Sequence, residues 1–114
     1  MRMVAGDFEP PIQNLAAFDI LGVRKDGGVD AAIVAATAID GSAETLKALA
    51  TKVRNYIVEL TSVKFLAEHP GARGKTRIII MAHSTIDAVA RGLIASLANE
   101  ARDAAVELKI EGVG

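Results

Sequence analysis

Cysteine is absent from the 114 residues. That excludes disulfides, thiolate zinc sites, iron–sulfur clusters and cysteine nucleophiles together, and it fits a reducing compartment. Tryptophan is absent too, and aromatic residues make up only 4%, so the exposed ring platforms that hold single-stranded nucleic acid are not expected. The 13 basic residues are balanced by 14 acidic ones, a net charge of −1. This lacks the basic footprint of a dedicated nucleic-acid binder, and nucleic acid is not expected as a partner. No stretch approaches the ~18 consecutive apolar residues of a membrane span. Asp7 and Glu9 break up the start of the chain, so a signal peptide is not expected there either. A soluble, cytoplasmic protein is the expectation.

What is present is aliphatic. Hydrophobic residues make up 51% of the chain, enough for one core in a single domain of this length. Residues 1–14, interrupted by Gly6, Asp7, Pro10 and Pro11, are expected to be a flexible or partly docked tail. The domain is then expected over residues 15–114. Phe18 to Val23 and Val29 to Ile39 predict a hairpin around Asp26-Gly27, a tight-turn signal. Ser42 is placed to cap a helix from Ala43, with Leu46, Leu49, Ala50, Val53, Ile57 and Leu60 as its buried stripe. The helical pattern weakens at Thr61-Ser62, can resume at Val63, and stops at His69-Pro70. Ile78 to Met81 predicts a buried strand. Ser84 and Asp87 have capping-box spacing for a second long helix from Thr85 to about Arg102. Alternation from Ala105 to Glu111 predicts a half-exposed edge strand, with a continued helix as the competing reading.

The expected class is α+β, a two-layer sandwich of ββαβαβ order with a four-stranded mixed sheet and two helices on one face. The second and third strands are largely apolar on both sides, as strands covered on both faces usually are. The open face therefore needs a cover; the N-terminal tail is one candidate, and a homodimer through that apolar sheet face is the expected one.

Three segments share a further pattern: Phe18-Asp19-Ile20-Leu21-Gly22-Val23-Arg24-Lys25, then Lys52-Val53-Arg54-Asn55-Tyr56-Ile57, then Pro70-Gly71-Ala72-Arg73-Gly74-Lys75 with Arg77-Ile78. In this order the chain resembles a family of small bacterial domains of unknown function, over roughly residues 17–110. The resemblance implies a bacterial origin and the same element order. It carries no activity or site residues with it.

Candidate chemistry is sparse. Gly74-Lys75-Thr76 ends like a phosphate loop, but His69 stands where the first glycine belongs and the segment precedes a strand instead of opening a helix. His83, Ser84 and Asp87 gather where the third strand meets the second long helix. There His83 and Ser84, with Arg73 or Lys75, could hold a small anion, although helix capping also accounts for Ser84 and Asp87. The serine lacks a nucleophile elbow. His69 and His83 lack metal-ligand spacing, so neither metal nor cofactor is expected. Arg73, Lys75 and Arg77, with Arg24 and Lys25, form a basic rim or a solvated edge. Tyr56 is expected beside the core with its hydroxyl in water. Two readings remain: a non-enzymatic homo-oligomeric or protein-interaction domain, or a binder of (or weak enzyme on) a small anionic ligand.

Overall fold

A computed structural model describes residues 11–15, 17–82 and 85–112. The elements run β1 (Ile20–Val23), β2 (Val29–Val34), α1 (Ala43–Leu60), α2 (Val63–Glu68), a 3-10 turn (Pro70–Ala72), β3 (Thr76–Ala82), α3 (Ala88–Asp103) and β4 (Val106–Gly112). The fold is α+β, with a mixed four-stranded sheet whose spatial order β1-β2-β3-β4 follows the chain. The β1–β2 pair is antiparallel, and β2–β3 and β3–β4 are parallel.

Side chains alternate along each strand, so two faces can be read from the register. Val29, Ala31 and Ile33 of β2, Ile78 and Ile80 of β3, and Val106 and Leu108 of β4 belong to one core with the buried residues of α1 and α3. Among them are Leu49, Val53, Leu60, Ala90, Ile94, Leu97 and Ala101. The opposite face carries Asp30, Ala32 and Val34 beside Arg77, Ile79 and Met81. It is less open than the composition of the strands suggests. Ala32 and Ile79 are already buried, and Asp30 accepts two hydrogen bonds from Arg77 at 2.7 and 2.8 Å. The Arg77 hydrogen bonds hold the Asp30 carboxyl below the usual carboxylate range, against the cost of partial burial.

Several boundaries differ from those expected. The second strand ends at Val34 rather than Ile39. Ile39 instead makes an isolated parallel bridge to Ile86, outside both strands. The weakening at Thr61-Ser62 is a full break between two helices, α1 and α2. Thr61 turns its hydroxyl back to the Ile57 carbonyl at 2.7 Å, and Ser62 starts afresh by accepting from the Phe65 N–H at 3.1 Å. Hydroxyl residues at both positions favour such local bonds over a continuous helix. The last long helix begins at Ala88, with Asp87 as its N-cap accepting from the Val89 N–H at 2.7 Å. Thr85 and Ile86 lie before it. The alternating segment after α3 is a strand at the sheet edge, as its pattern predicts.

The turn from α3 into β4 contains an exposed alanine in a left-handed conformation, Ala105 at φ 62°. This is the position after a helix where glycine is favoured, because a Cβ crowds the backbone there. Ala105→Gly is expected to raise unfolding free energy by about 0.5–1 kcal/mol, read as a higher urea midpoint at unchanged slope. Tighter still is the approach of the β1–β2 turn to the loop before β3. A Cβ on Gly71 would meet the Gly27 backbone at 3.1 Å, so two glycines let these loops touch.

Candidate functional site

At the first turns of the domain a short strand is held by buried polar groups. Lys52 sits on α1 one helical turn from both Leu49 and Tyr56, inside the apolar stripe, and is fully buried. Its ammonium bonds both carboxylate oxygens of Asp19 at 2.8 Å and the backbone carbonyl of Gln13. An ammonium has three N–H donors, and these are three acceptors. The free carboxylate capacity of Asp19 is used by the Val34 N–H at 2.8 Å. That amide would otherwise continue the β1–β2 ladder, so a side chain replaces a backbone rung and the strand starts at Ile20.

Tyr56 closes the arrangement. Its hydroxyl donates to the Ala32 carbonyl and accepts from the Asp19 N–H, both at 2.9 Å. Its ring meets Phe18 edge-on, with centroids 4.7 Å apart. Burial pushes the phenol up to about 12. The hydroxyl is therefore in the core rather than in water, because the split between Asp19 and Ile20 leaves backbone groups that need it. Lys52 and Tyr56 are both buried and both spent on hydrogen bonds within the fold, so the cluster positions the backbone.

What it positions is β1. All four residues of this strand are exposed, with Ile20 at 53%, Leu21 at 38% and Val23 at 61%. The other edge, β4, carries Glu107, Lys109 and Glu111, the charges that discourage further strand pairing. Edge β1 has no charge, proline or bulge of this kind. The Arg24 N–H donates to the Gly28 carbonyl at 2.8 Å, which fixes the phase of the hairpin. Hydrogen-bonded pairs then alternate through Gly22–Asp30 and Ile20–Ala32. Leu21 and Val23 turn their N–H and C=O groups to the free side, where no described residue meets them.

The residues expected to hold an anion are only partly described. Arg73 and Lys75 lie before the start of β3, and His83 and Ser84 lie outside the described residues. The seven residues of β3 span roughly 20 Å, so Lys75 and the far end of the strand belong to different ends of the sheet. Around Lys75 the structure gathers Arg24, Arg77 and Arg102 in an open cleft of about 830 Å³ that also contains Asp26 and Glu107. Arg24 is spent on Asp26 and Asp30, and Arg77 on Asp30. Arg73 instead lines shallow grooves beside Leu66 and Thr61. The start of α3 already holds the Asp87 carboxylate, which disfavours a second anion there.

Among the described residues no helix is long and apolar enough to cross a membrane, and no three metal-ligating side chains gather. Neither a family model, nor a curated protein, nor a solved structure matches the chain.

Proposed function

We propose that the chain is a non-enzymatic assembly domain that works as a homodimer, with its two long helices layered on one sheet face and the β1 edge left for a partner. The observation that supports this is the bare apolar edge: Ile20, Leu21 and Val23 are exposed on a strand with unpaired backbone on its free side among the described residues. Soluble proteins blunt such edges unless they are used. The partner is placed at the edge rather than over the sheet face, because that face is already closed at Ala32 and Ile79 and ion-paired at Asp30. The absence of cysteine suits a bacterial cytoplasm as the place where it acts. Light scattering over a wide concentration range is expected to show the mass rising from monomer to dimer. A monomer mass at every concentration overturns the reading.

A second reading, binding of a small anion, is favoured by one observation. Lys75 and Arg102 face the open cleft without an ion pair to any described carboxylate. Bound phosphate would then raise the melting temperature by mass action, and Arg102→Gln would remove the shift. An unchanged melting temperature in phosphate excludes it.

A further inference from the structure

We infer that two copies pair antiparallel along β1 about a two-fold axis at Gly22, so that Leu21 lies opposite the partner's Val23 and the two sheets become one of eight strands. This rests on the homodimer reading and adds its geometry.

The register follows from which backbone groups the edge still has to offer. Only Leu21 and Val23 present both N–H and C=O to the free side of β1, since Ile20 and Gly22 turn theirs to β2. A two-fold axis at Gly22 maps Leu21 onto the partner's Val23 and Val23 onto the partner's Leu21. Each becomes a hydrogen-bonded pair, four bonds in all. Shifting the axis to Leu21 would require the Asp19 N–H, which is already donated to the Tyr56 hydroxyl. Shifting it to Val23 would require Lys25, which has left the strand for the turn. The buried cluster therefore limits the edge to a length that closes on itself about one axis.

Side chains agree with this register. Leu21 and Val23 point to the same sheet face and would cover one another across the axis, as apolar cross-strand pairs do. On the other face the axis passes through a residue with no side chain. An isologous contact of this kind closes at two copies, whereas an unrelated strand would have no reason to match both ends. The contact is short, well below the ~800 Å² per partner of a standard interface, so association is weak and visible only at high concentration.

Amide hydrogen exchange measured by NMR on the full chain, at dilute and at high concentration, tests the register residue by residue. The Leu21 and Val23 amides are expected to slow at least tenfold at high concentration. The Gly22 amide, bonded within the hairpin, is expected to stay unchanged. Leu21→Pro, which removes an outward N–H and leaves the inward ladder intact, is expected to abolish the dimer, and Val23→Lys to weaken it. A dimer by light scattering whose Leu21 and Val23 amides exchange as fast as in dilute solution overturns this register while the assembly reading stands. A monomer at all concentrations overturns both.

Discussion

Lys52→Met is expected to cost about 3–5 kcal/mol of stability, a large part of the ~5–15 kcal/mol that holds a domain of this kind together. Methionine keeps most of the aliphatic stem and its packing against Leu49 and Tyr56, so the loss is mainly electrostatic. What remains is the Asp19 carboxylate, still held at the Val34 N–H but without its counter-charge, and a Gln13 carbonyl without its donor. Removing one partner of a buried pair leaves the other's desolvation uncompensated, which exceeds the net worth of the pair itself. The coupling is checked by a double-mutant cycle. Asp19→Asn added to Lys52→Met is expected to recover part of the loss, because an amide carries no charge to strand. Urea unfolding of the four proteins measures this. A Lys52→Met protein within about 1 kcal/mol of the parent would mean that the pair is not structural.

The second large effect is alkaline. Tyr56 is the single tyrosine of the chain, so ultraviolet absorbance of tyrosinate reports it alone. Its ionisation is expected near 12 in the folded protein, against an ordinary value of 10.0, because burial disfavours the phenolate. A pKa raised on folding means that the unfolded chain gains by ionising first. The stability associated with the neutral phenol is fully present below pH 10 and is lost as pH rises toward 12. Two units correspond to about 2–3 kcal/mol. Tyr56→Phe is expected to flatten this alkaline limb. At neutral pH it is expected to cost about 1–3 kcal/mol, since the Ala32 carbonyl and the Asp19 N–H lose their shared partner. An absorbance midpoint at 10 in the folded protein would place the hydroxyl in water.

Much of the architecture was legible from pattern. The aliphatic run Ile78 to Met81, the Ser42 cap, the stop at His69-Pro70 and the alternation from Val106 onward each follow from a local rule, and each matches its element. The helix break at Thr61-Ser62 was visible as a weakening, but its outcome depends on which hydroxyl reaches which carbonyl. The buried cluster was not legible as a site. Lys52 carries the signal: it stands within the apolar stripe, three residues after Leu49 and four before Tyr56, where a lysine needs a partner. Nothing local says that the partner is Asp19, because the contact forms across 33 positions of chain. The same limit applies to Lys75, whose neighbours Arg24 and Arg102 are brought together only by the sheet. The start of α3 misled for a different reason. Ser84 and Asp87 have capping-box spacing, but the bridge from Ile39 to Ile86 keeps Ile86 out of the helix, and the cap is Asp87.

The strands lie side by side in the order in which they occur along the chain. Each can join the sheet as soon as it leaves the ribosome, and none has to be inserted between two that are already paired. The vulnerable moment therefore comes late. Until Val106 to Gly112 has been made, β3 is itself an outer strand, with three consecutive isoleucines, Ile78, Ile79 and Ile80, next to an unpaired backbone. A bare apolar strand of this kind is the usual seed of misassembly in nascent chains. Stalling or nicking just before Val106 would leave that seed exposed, whereas the finished chain covers it with a strand bearing Glu107, Lys109 and Glu111.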